Sequence, residues 1–154
     1  MLNKKILLYF LILLSSSQIL FANYGFYRKV ANTCKYYRVE IDEKKMQLTK
    51  NTDGSYNFSI EMKSLRNNFE MVMLVGFISV GQAITHQESF AKKKPGYQPV
   101  IPGDTEVTVT VPVSRESTII TAKATVDDDI RQLSSGKVDT AGFMRLIKNS
   151  IQTL

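Results

Sequence analysis

From Tyr37 the chain alternates with period two: Tyr37, Val39 and Ile41 point one way, while Arg38, Glu40 and Asp42 point the other. One apolar face at that period predicts a half-buried strand. Glu43-Lys44-Lys45 reads as a turn, Met46 to Lys50 as a second short strand, and Asn51-Thr52-Asp53-Gly54 as a turn whose glycine supplies a positive φ. Tyr56, Phe58, Ile60 and Met62 then alternate with Asn57, Ser59 and Glu61, completing an antiparallel meander of three strands.

The period then changes. Ser64 caps a helix beginning at Leu65-Arg66, and Met71 to Ile84 is apolar nearly all the way round, relieved only by Gly76, Ser79, Gly81 and Gln82. Such a helix is buried on more than one side or spans a membrane. Its apolar part is short for a span, so a core helix is expected. Gly76 and Gly81 each cost about 1 kcal/mol of helix propensity, which predicts a close approach to the sheet or to another helix.

Ala91 to Asp104 follows as an extended loop, with Lys92-Lys93-Lys94 and three of the four prolines, Pro95, Pro99 and Pro102. It is longer than most connections in a compact domain. Val107, Val109, Val111 and Val113 then alternate with Thr108, Thr110 and Pro112, and Ser114 to Ser117 turns the chain into a return strand carrying Ile120, Ala122, Ala124 and Val126 inward. Glu106–Val113 and Thr118–Val126 are expected to form a β-hairpin, with Pro112 at a strand end or sheet edge because it has no N–H to donate. Asp127-Asp128-Asp129 starts a short helix that Ser135-Gly136 ends. Asp139 or Thr140 caps a last helix with Phe143, Leu146, Ile147, Ile151 and Leu154 at helical spacing.

The fold class that follows is α+β: an antiparallel sheet of about five strands, meander plus hairpin, with the long apolar helix and two C-terminal helices packed on one face. No internal repeat and no second domain is evident.

The first 22 residues have a different character. Lys4-Lys5 lead into an unbroken apolar run from Ile6 to Leu14, then Ser15-Ser16-Ser17 and Leu20-Phe21-Ala22. That is the layout of a secretory signal peptide, with cleavage expected after Ala22 and Ser17 as the upstream alternative. Retention as an anchor is the competing reading. No Cys lies near the end of the leader, so a lipoprotein anchor is excluded. The domain organisation is therefore 1–22 signal peptide, 23–35 N-terminal segment of the mature chain, and 36–154 a single α+β domain, in the periplasm or outside the cell.

Removing 22 of the 154 residues leaves 132, enough for one core. Without Lys4 and Lys5, 18 basic residues stand against 14 acidic, a mature net charge of +4, which is too mild for a nucleic-acid signature. Tyr24, Phe26, Tyr27, Tyr36 and Tyr37 interleave with Arg28, Lys29, Lys35 and Arg38, a pattern that can stack and pair with a polyanion. In an exported chain nucleic acid is not the expected partner, so some rings are expected to pack the sheet and the rest to belong to a mobile start. With one cysteine, Cys34, no internal disulfide can form, and the thiol is expected to be buried, with a homodimer cross-link or a reactive thiol as the alternatives.

Little of the chain suggests chemistry. The three aspartates lack the alternate spacing of a calcium loop and are expected to cap a helix. His86 has no second ligand at metal spacing, and no nucleophile motif or phosphate loop occurs. No enzyme activity, metal or cofactor is expected. The leading expectation is a small non-enzymatic envelope or secreted protein acting through protein–protein contacts. Its candidate partner-binding residues are Lys92, Lys93, Lys94, Tyr97, Pro99 and Pro102, with a strand edge near Pro112. Lys92–Lys94 also suit anionic lipid, and membrane contact is expected if the leader is retained. Two alternatives are a carrier or sensor of a small apolar ligand held between helix and sheet against Phe69, Met73 and Phe77, and a signal-anchored accessory subunit of a membrane complex.

Overall fold

A computed structural model describes residues 23–65 and 68–154. The leader, with both expected cleavage positions, lies outside the described residues, as does Arg66 in the expected helix start.

Residues 23–36 form helix α1. Phe26, Val30 and Cys34 recur every four residues and are wholly buried, as one stripe of a helix must be when it docks on a core. The expected mobile start of the mature chain is therefore a packed helix. The Phe26 ring stands edge-on to Phe58 at 5.2 Å, and the Tyr27 hydroxyl accepts the Leu48 N–H at 2.7 Å. Tyr24, Tyr36 and Tyr37 stay exposed.

Residues 37–40 connect α1 to β1, Ile41–Lys50, so the strand expected at Tyr37 begins only at Ile41. β1 pairs antiparallel with β2, Tyr56–Lys63, around a turn in which Gly54 has φ +88°. Glu43-Lys44-Lys45 is not a turn between two strands. It lies where the β1–β2 pairing shifts between Ile41 and Met46, with Asp42 Oδ1 accepting the Lys44 N–H at 3.0 Å. A bulge absorbs surplus residues while the strand continues, so the expected meander of three strands is a hairpin of two.

Helix α2, Phe69–Lys93, is 25 residues long. It starts at Asn68 rather than Ser64 and runs well past Ile84, taking up the first residues of the expected loop. By length and composition α2 could cross a membrane, yet 56% of its most apolar window is buried inside the fold. At Gly76 it touches the sheet: a Cβ there would lie 2.9 Å from Val107 Cγ1 and 3.0 Å from Met62 Sδ. Only glycine permits that approach.

β3, Pro102–Val113, pairs parallel with β2 and antiparallel with β4, Glu116–Thr125. The valine alternation thus becomes the expected hairpin, closed by Ser114 at φ +54° and Arg115. Because the β2–β3 pair is parallel, the five-stranded sheet is mixed, in the order β1-β2-β3-β4-β5, and α2 is the crossover that runs back between them. Rows of side chains cross the sheet in register, Phe58–Thr105–Ala124, Ile60–Val107–Ala122 and Met62–Val109–Ile120, and all are buried beneath the helices. Each wholly buried valine contributes about 1.5 to 3 kcal/mol. The opposite face carries Ser59, Glu61, Glu106, Thr108, Thr121 and Lys123.

After β4 a π-turn, Val126–Ile130, leads into the short helix α3, Arg131–Ser134, ended near Gly136 as expected. Helix α4, Thr140–Ile147, is capped by Asp139, whose Oδ1 accepts the Gly142 N–H at 2.7 Å. A 3₁₀ turn, Lys148–Ser150, and β5, Gln152–Thr153, finish the chain against β4.

The crossover gives the molecule two ends. The basal end holds the C-terminus of α2, the start of β3 and the turn after β1. At the distal end lie the start of α2 and the β3–β4 turn.

Candidate functional site

The basal end is organised by Gln87, a side chain that the sequence reading passed over. It is wholly buried near the end of α2, where its Oε1 accepts the Tyr97 hydroxyl at 2.7 Å and the Val100 N–H at 3.2 Å. A buried amide is retained when its hydrogen bonds are made. Tyr97 also stands edge-on to Phe90 at 4.7 Å, and Lys94 Nζ lies 5.8 Å from the Phe90 ring. Burial pushes the Tyr97 hydroxyl above its ordinary pKa, partly offset by its bond to Gln87. Residues 94–101 are thus a short connection folded back on α2, not the fourteen-residue extended loop the prolines suggest.

The expected contact residues divide accordingly. Lys92 and Lys93 occupy the exposed last turn of α2, where cations oppose the helix dipole, and Lys94 is its C-cap. None of the three forms an ion pair among the described residues, whereas Lys123 bonds Glu106 at 3.1 Å and Lys45 pairs with Glu61. Tyr97 and Pro99 are half-buried, and Pro102 is buried as the first residue of β3, opposite Tyr56. The structure therefore brings the lysines and one edge of Tyr97 together on the surface and withdraws Pro102 from it.

The distal end carries the other candidate. β2 reaches only Lys63, opposite Thr110, and Ser64 N–H donates to Thr110 at 3.0 Å. β3 and β4 continue beyond it, so among the described residues Val111, Pro112 and Val113 are paired on the β4 side alone. Pro112 is exposed, Val113 is 51% exposed, and Leu65, which leaves β2 beside this overhang, is 83% exposed.

The remaining candidates resolve into structural roles. Asp129 Oδ2 accepts the Thr125 N–H at 2.8 Å and the Thr125 hydroxyl at 3.0 Å, closing the start of the π-turn. Asp127 bonds Arg131 at 2.9 Å, and Arg131 reaches Glu88 at 2.8 Å, so both acids, Glu88 first, push the guanidinium pKa up. Among the described residues no group of three or more His, Cys, Asp or Glu is placed to hold a metal ion. Cys34 is wholly buried, so a disulfide to a second copy has no path without opening the core. The space between α2 and the sheet is filled by Met73, Phe77 and the contact at Gly76. Open depressions lie elsewhere: a groove of about 380 Å³ beside Phe77, Gly81 and Leu133, and a trough of about 460 Å³ on the polar sheet face by Asn57, Asp104 and Lys123.

Comparison with protein-family models, curated proteins and solved structures gives no match for this chain.

Proposed function

We propose that the chain is an exported, non-enzymatic envelope or secreted domain that works through protein–protein contact, and that its distal end makes the contact. The observation that supports this reading is the overhang of the β3–β4 hairpin beyond β2. Among the described residues the last three of β3 have no strand partner on that side, where Pro112, Val113 and nearby Leu65 are exposed. An unpaired strand flank is a template for an extended segment of another chain, with main-chain bonds for affinity and neighbouring apolar side chains for selectivity. Pro112 limits the donors on that flank and so restricts what can add there.

Export rests on the leader sequence. The carrier reading draws no support from the filled helix–sheet interface. An anchored subunit differs from a soluble module in whether residues 1–22 remain, which intact mass and membrane fractionation report directly.

The contact is tested with a photo-cross-linking residue at position 113 in the native host, and with the same residue at exposed position 137 as control. A discrete adduct with one exported protein from position 113 alone is expected, and Val113→Asp lowers capture of that protein at least tenfold without changing the melting temperature. Adducts from neither position, or equally from both, would reject the distal end as the contact.

A further inference from the structure

The chain enters the described fold at the basal end. Gly25 lies against Gln87, where a Cβ on the glycine would be 3.4 Å from Nε2. The same Gln87 holds Tyr97 and Val100 through its Oε1. Lys92, Lys93 and Lys94 follow it by five to seven residues, or about 8 to 10 Å along the axis at 1.5 Å per residue. Tyr24 is 63% exposed and Phe90 is 41% exposed. Arg28, one helical turn after Tyr24, shares its exposed face of α1. Aromatic rings, and cations that form no ion pair among the described residues, therefore lie around the point where the segment with the apolar run Ile6–Leu14 joins the domain. Ala22 stands four residues before the buried Phe26 in the sequence.

We infer that this basal end rests on an anionic membrane surface, with Lys92, Lys93, Lys94 and Arg28 among the head groups and Tyr24, Phe90 and Tyr97 at their level. Basic residues near an anionic leaflet each strengthen binding by about fivefold, and amphipathic rings settle at the head-group depth. The acids at this end qualify the geometry. Asp127, Asp128 and Asp129 sit at the end of β4, Asp104 at the start of β3, and Asp53 in the turn after β1. Asp127 and Glu88 are paired to Arg131, and Asp129 is bonded to Thr125. The contact is therefore tilted onto the α1–α2 side, away from β4, and it leaves the distal hairpin pointing outward.

The choice of a membrane rests on the export reading of the leader, but its test does not. The full-length gene is expressed in a bacterial host and the protein purified in the form that the host leaves. An environment-sensitive dye is placed on Gln98→Cys, or on Arg115→Cys at the distal turn, Cys34 being buried in the folded protein. Vesicles of equal parts phosphatidylglycerol and phosphatidylcholine are expected to shift the emission at position 98 and not at 115. In the triple variant Lys92→Glu, Lys93→Glu, Lys94→Glu, vesicle affinity falls on the order of a hundredfold, while the melting temperature is kept. If that variant does not fold, the triple glutamine variant is read in its place. No shift at 98, equal shifts at both positions, or an unaltered response in the lysine variant overturns the inference. So does a shift on adding an acidic envelope protein but not vesicles. Mass and fractionation report the fate of the leader separately.

Discussion

On the proposed export reading a lone cysteine would be open to oxidation, and Cys34 is protected from it by position. It sits on the buried stripe of α1, bonded to the Ser79 hydroxyl, and burial pushes its thiol pKa up against the smaller opposing effect of that bond. The folded state thus keeps the proton at a pH where the unfolded chain begins to lose it, at about 8.5. That contribution is complete below the unfolded pKa and is lost as pH rises through the higher folded one. Urea midpoints taken from pH 7 to 10 should therefore fall above about pH 8.5, and Cys34→Ala should flatten the decline. A thiol reagent should find no reactive group until the protein unfolds; rapid labelling of the native state would refute the buried placement. The spacing of Phe26, Val30 and Cys34 was present in the sequence. Neighbouring tyrosines and basic residues gave the same segment a surface character, which hid the stripe.

Elements were legible where one face carried an unambiguous pattern. The valines at 107, 109 and 111 specified β3 and its hairpin, and Asp139 specified the start of α4 by the N-cap geometry it adopts. Two features were hidden for physical reasons. A bulge lets a charged triplet sit inside β1, where charge normally signals a turn. The parallel β2–β3 pair depends on where α2 returns the chain, which is a tertiary outcome although the strand–helix–strand order points to it. Lys92, Lys93 and Lys94 were legible as a cluster, but their nearness to the start of α1 was not, because Gly25 and Gln87 meet only in the folded state. The basal element is held by that glutamine. Gln87→Leu should leave the Tyr97 hydroxyl and the Val100 N–H without their acceptor, costing about 1 to 3 kcal/mol. Proteolysis within residues 94–101 should accelerate with it, measurable by timed digestion and mass spectrometry. An unchanged digestion rate would mean that the connection is fixed by other contacts.

At the scale of the molecule, one core joins α1, α2, α4 and the sheet, and Val109 lies wholly buried at its centre between Met62 and Ile120. Val109→Asp should unfold the protein, because an unpaired carboxyl there costs on the order of 5 kcal/mol, comparable with the whole stability of a small domain. Circular dichroism and a cooperative melt are sufficient to check it; a native-like melt would mean that residue 109 does not face the core. The two ends of the fold also have separate assignments in the proposals above, a protein partner at the hairpin and lipid beneath the lysines. If the chain is exported as proposed and cut at the expected position after Ala22, the docking of α1 also bears on the order of events. Phe26 is locked against Phe58 in the finished fold, only four residues beyond Ala22, while a processing peptidase needs the chain around its bond extended in its cleft. On the proposed export reading, maturation and folding compete for the same few residues, and removal of the leader would come before α1 closes onto the sheet.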